Sequence, residues 1–215
     1  MSDSSAEGVI DLLGMLAYGE LVAFDQMAAD ARLAPDLTRR GILCEMAAVE
    51  IANYRRVADR LIELGVDVEA AMVPFEPALT AYHDETEPVS WHEALIKAYI
   101  GNGISDDFFR EIAAWLEPAD RDLVLRVIHD SAYDDYAAEE IRAAIAADPK
   151  IVNALSMWAR RLVGEALSQA VRVATERPAL AALLGGSAEG GGDAPIWRNL
   201  TTAHSARMTA VGLNN

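Results

Sequence analysis

The chain has 215 residues, enough for one domain with a large buried core, and its 52% hydrophobic and 24% charged content excludes a disordered polymer. A formal net charge of -16 sets the global field against polyanions, so a nucleic-acid partner is disfavoured and no DNA partner is expected. The single cysteine excludes an intramolecular disulfide, and no apolar run reaches the roughly 20 residues that a membrane helix needs. The segment from Met1 to Gly8 is polar and acidic, unlike a signal peptide, so a cytoplasmic protein without membrane contact is expected.

Apolar residues recur every three or four positions through most of the chain, and no alternating β-branched stretch competes. This period predicts an all-α protein. The first helix is expected from about Glu7 to Ala34, where Pro35-Asp36 breaks it. Asp36 then caps a second helix that stops at Gly65. Residues from Val68 to His83, interrupted by Pro74 and Pro77, read as an irregular helical crossover. Ser90 with Glu93 forms a capping box that opens a third helix ending near Leu116. Pro118 with Asp120 starts a fourth, expected to run unbroken to about Ala147. Asp148-Pro149 ends it and opens a fifth, which reaches Arg177-Pro178. Gly185 to Asp193 is a glycine-rich linker, and Pro195 to Val211 is a last helix or a docking tail. The expected divisions are thus a bundle over 1–184, a linker over 185–193 and a tail over 194–215. Two long helices, a long crossover and two more long helices are the wiring of a ferritin-like four-helix bundle. Cys44, Trp115, Trp158, Tyr133 and Tyr136 sit at ordinary helical spacing and read as core residues.

Several acids interrupt the apolar stripes of these helices. Glu20 is surrounded at helical spacing by Leu13, Leu16, Ala17, Ala23, Phe24 and Met27. Glu50 stands likewise among Leu43, Met46, Ala47, Tyr54 and Val57. Asp130 and Asp134 interrupt the stripe of Leu123, Val127, Ala137 and Ile141, and Asp106-Asp107 follows Gly101-Asn102-Gly103. Burying an isolated carboxylate is costly, so such acids find protons, arginines or metal ions. Pairing with Arg39, Arg55, Arg110 or Arg126 is the structural alternative to a metal site. The histidines add little: His83 and His92 lie in or beside the crossover, His204 lies in the tail, and His129 is turned about 100° away from Asp130 on a helix. The pairs Arg39-Arg40 and Arg160-Arg161 are too short for a nucleic-acid stripe.

The stretch Gly-Glu-Leu-Val-Ala-Phe at 19–24, the run Glu-Ile-Ala-Asn-Tyr-Arg-Arg-Val at 50–57, and Lys-Ala-Tyr-Ile at 97–100 followed by Asp106 resemble the MiaE family. Those are ferritin-like diiron enzymes that hydroxylate the 2-methylthio-isopentenyl-adenosine of tRNA; the likeness spans about 10–175 and is nearest the actinobacterial branch. It implies a hydroxylase with two iron or manganese ions, and tRNA as a partner that the net charge opposes. By this resemblance Glu20 and Asp106 match the lone acids of the first and third helices, and Glu50 and Asp130 the acids of the two Glu-x-x-His pairs. Asn53 and Tyr133 then stand where both histidines belong, leaving an oxygen-only set with Asp134 nearby. The alternative is a non-catalytic, metal-free ferritin-like binding or scaffold protein, and in either case a homodimer is expected.

Overall fold

In a computed structural model that describes residues 3–128, 131–183 and 195–215, the described residues are almost wholly helical and contain no strand. Helix α1 spans Asp3–Asp30 and α2 spans Leu37–Glu63; they pack along their whole length. Asp36 caps α2 by accepting a hydrogen bond from the Arg39 amide at 2.9 Å, and Gly65 ends it at φ 74°. The crossover is two short helices, α3 (Val68–Met72) and α4 (Glu76–Glu85), joined by a 3₁₀ turn containing Pro74. The third long helix opens on the Ser90 cap and runs through α5 (Trp91–Ile96), a π-helical turn (Lys97–Asn102) and α6 (Gly103–Ala113).

The expected continuous fourth helix is instead two, α7 (Pro118–Val127) and α8 (Ser131–Ala147), because Ile128 adopts an extended conformation at ψ 147°. The last carbonyls of α7 have no intrahelical donor. One of them, Val127, accepts a 2.9 Å hydrogen bond from the Asn53 amide on α2, a tertiary donor that helical periodicity does not reveal. A 3₁₀ turn at Pro149–Ile151 leads into α9 (Val152–Glu176), followed by α10 (Pro178–Leu183) and α11 (Pro195–Ala210). The expected glycine-rich linker lies outside the described residues. No described helix is long and apolar enough to cross a membrane. Two expected core residues lie outward: Cys44 is exposed, and Trp115, just past the end of α6, is 75% exposed.

The apolar interior is divided into two. One core joins Val9 to Ala17 of α1 with Val57 and Leu61 of α2, Phe109 to Ala113 of α6, and Leu123 to Ile128. The other joins Met27 and Ala31 of α1 with Leu43 to Ala47 of α2, α5, Ala137 to Ile141 of α8, and α9. Between the two along α1, α2 and α6 lie Glu20, Glu50 with Asn53, and Asp106, all at most 5% exposed. The bundle thus has a polar waist.

Close packing of the first core rests on Gly14, where an added Cβ would strike the Ala71 backbone carbonyl of α3. Gly14→Ala must push α3 away and is expected to cost about 1–3 kcal/mol. Gly41 of α2 has open space instead, so Gly41→Ala should gain roughly 0.5–1 kcal/mol from helix propensity. Urea midpoints of the two variants, moving in opposite directions, check this reading of the glycines.

Candidate functional site

A cavity of about 260 Å³ adjoins the waist and runs between α1, α4, the third long helix and α9. On α1 its wall extends from Met15 to Asp30, a rise of about 22 Å at 1.5 Å per residue. On the third helix it extends from Ala94 to Phe109. The wall is mainly apolar, with side chains such as Leu16, Leu79, Phe109 and Leu167, and its reach along α1 and the third helix makes it an elongated corridor.

Glu20 and Glu50 both belong to this wall. The helical spacing that predicted their inward orientation is confirmed by their burial, 5% and 1% exposed. Asp106 is buried on α6 but is not part of the cavity wall. Asn53 is 3% exposed, and its amide is engaged at both ends: the nitrogen donates to Val127, and Oδ1 accepts from the Arg56 guanidinium at 2.6 Å. Tyr133 and Asp134 are half-buried near the start of α8, and Tyr133 packs against the second core. Asp130 and His129 lie outside the described residues. Among the described residues no three His, Cys, Asp or Glu side chains are grouped so as to hold a metal ion.

The structure adds a cluster that sequence reasoning missed. Lys97 is 6% exposed, opens the π-helical turn and lines the cavity. Its Nζ has no hydrogen-bond partner among the described residues and lies 5.9 Å from the centre of the Tyr82 ring. Burial pushes its amine down to about 8, although Asp30, Glu87 and Asp84 act through space to favour the cation. Asp30 lines the same cavity, and burial pushes its carboxyl up to about 6 against the opposing pull of Lys97. His83, on α4 opposite, is held neutral, its imidazole pushed down to about 3 by burial and by Lys97. The only sequence signal for this cluster was a lysine inside the otherwise apolar run from Ala94 to Ile100, on a helix whose π turn rotates its faces.

Other acids settle against arginines. Asp120, buried on α7, accepts from Arg60 at 2.7 Å, and buried Asp11 pairs with Arg177. Arg39 bridges Asp36 and Glu140, tying α2 to α8. Asp107 pairs with Arg110 and with Arg207 of α11.

An all-helical bundle with a crossover between its second and third long helices and inward carboxylates at its waist is a ferritin-like protein. The sequence matches the model of the ferritin-like domain of actinomycetes over residues 3–187, and the chain belongs to that family. Its fold is similar to that of a solved protein from Synechococcus described as having aldehyde deformylating oxidase activity. The TM-score is 0.75 at 16% identity, over 99% of this chain and 93% of that one. No curated protein matches the sequence.

The lysine makes a prediction in pH. A buried amine with a lowered pKa binds its proton less tightly in the folded than in the unfolded chain. Its burial penalty is therefore present below about 8 and is relieved as pH rises towards the ordinary 10.5. Comparing urea midpoints of wild type and Lys97→Met from pH 7 to 10.5, the variant should be the more stable at pH 7. Its advantage should shrink as the pH rises.

Proposed function

We propose that this protein binds a small, elongated and mainly apolar organic molecule in the waist corridor, with Glu20 and Glu50 beside the bound molecule. The observation that carries this reading is the corridor itself, about 22 Å long on α1 and walled mainly by aliphatic and aromatic side chains. A linear chain fills such a shape and removes its apolar surface from water along the whole length. A tRNA base would bring a polyanion to a chain of net charge -16.

A second reading, a dimetal-carboxylate hydroxylase of the MiaE-like kind, is favoured by one observation: two glutamates from separate helices share the wall of one apolar cavity. The solved protein with a similar fold is described as having deformylating oxidase activity, which supports oxidative chemistry as the activity to test. Bound metal would supply dioxygen activation, and Glu20 and Glu50 are the residues to hold it. The described donors fall short of such a centre. Asp106 is outside the wall, and Asn53, at the position of one histidine, is committed to Val127 and Arg56.

Calorimetric titration with dodecanol tests the first reading. Wild type should bind it, and Ala23→Phe, which places a ring in the corridor wall, should weaken binding by at least about tenfold, equivalent to about 1.4 kcal/mol. The helical circular-dichroism signal should be unchanged. Undiminished binding in that variant would sink the proposal. For the second reading, protein from iron- and manganese-supplemented cells should carry stoichiometric metal that Glu50→Ala loses; metal-free wild type would rule it out.

A further inference from the structure

We propose that Lys97 is a head-group anchor in the corridor, and that the molecule it selects is a linear carboxylic acid held as its carboxylate. The inference rests on the corridor taking a chain molecule and adds the chemistry of that molecule's polar end.

Lys97 is 94% buried by its 6% exposure and faces the cavity, yet none of its three N–H donors finds an acceptor among the described residues. Leaving a buried ammonium without hydrogen bonds is costly, and native interiors avoid it unless something else occupies the site. The nearby acids do not fill that role. Asp30, Glu87 and Asp84 stabilise the positive charge through space, but none of them forms an ion pair with Lys97 among the described residues. They keep the amine protonated at neutral pH and leave its donors open. The Tyr82 ring near Nζ contributes a π face, which attracts a cation without consuming an N–H.

A second open group points to the same ligand. His83 lines the cavity from α4, and its Nδ1 has no hydrogen-bond partner among the described residues. The ring is neutral around pH 7, so it carries one N–H that can be placed on Nδ1. A carboxylate has two oxygens, one for the lysine ammonium and one for the imidazole N–H. An alcohol has one oxygen and no charge, so it satisfies one donor and forms no ion pair with the ammonium. The backbone supports a built site: Lys97 is the first residue of a π-helical turn, a deformation found disproportionately at functional positions.

Dodecanoate and dodecanol, which share a chain and differ in the head group, provide the test when titrated into the full-length protein below their aggregation concentrations at pH 7. Wild type should bind the acid at least about tenfold more tightly than the alcohol, the scale of one charge-assisted hydrogen bond. That ratio should fall to near one in Lys97→Met and recover in Lys97→Arg. If wild type binds both equally, the head-group assignment fails while chain binding stands. If it binds neither, both fail. An acid preference that persists in Lys97→Met would remove Lys97 from the role, and the wild-type comparison decides the ligand class even should that variant not fold.

Discussion

The constraint on which the rest of this structure depends is the burial of carboxylates at mid-height in an apolar bundle. Glu20 and Glu50 are as inaccessible as the leucines around them, and a buried carboxylate costs several kcal/mol unless its surroundings compensate. The apolar cores consequently stop on either side of them: Ala17 closes one on α1 and Met27 opens the other, with the same division at Ala47 and Val57 on α2. Two of the four long helices are irregular at this level. The third passes through its π turn beside the waist, and the fourth breaks at Ile128. Irregular backbone gives carbonyls and side chains directions that a straight helix forbids, and Asn53 uses one of them when it reaches Val127.

Two other buried acids follow a different rule. Asp11 and Asp120 meet arginines of other helices, so each charge is both neutralised and used to join two elements. Arg39 and Arg207 do the same at the two sides of the bundle, the latter against Gly103, where any Cβ would collide with the guanidinium. With 18 basic residues against 34 acids, these arginine contacts serve as junctions between elements. Lys97 is the exception: a buried cation that no described acid contacts, facing an apolar corridor.

Much of the fold was legible because helices write their burial into the sequence at a fixed period and their ends into a few residue types. Asp36, Ser90 and Gly65 act where capping rules place them, and the crossover follows from Pro74 and Pro77. The inward aim of Glu20 and Glu50 was legible for the same reason. The break at Ile128 was not, since its stabilising partner Asn53 is 74 positions away. Trp115 misled because periodicity holds only inside a helix, and this residue lies past the end of α6. The corridor and Lys97 were illegible in principle. A cavity is a space left between elements, and whether a lysine in an apolar run reaches solvent or stays inside depends on what packs over it.

Asn53 bears most directly on which chemistry the waist performs. At the place where the family resemblance puts a histidine, a neutral imidazole that ligates a metal through one nitrogen can donate only from the other. The Asn53 amide instead donates and accepts at once, and what it accepts from is the guanidinium of Arg56 at 2.6 Å. A permanent positive charge beside a prospective ligand atom disfavours a metal cation there and favours an anionic or neutral occupant. Glu20 and Glu50 pull the other way. The balance is local: the Asn53 side of the waist is already supplied with a cation, and the corridor side is lined mainly by apolar surface, with Lys97, His83 and Asp30 grouped among its polar side chains. An amphiphile whose chain lies along the corridor and whose negative end meets Lys97 and His83 satisfies those features together, whereas a metal ion held by Asn53 Oδ1 would share that oxygen with the Arg56 guanidinium.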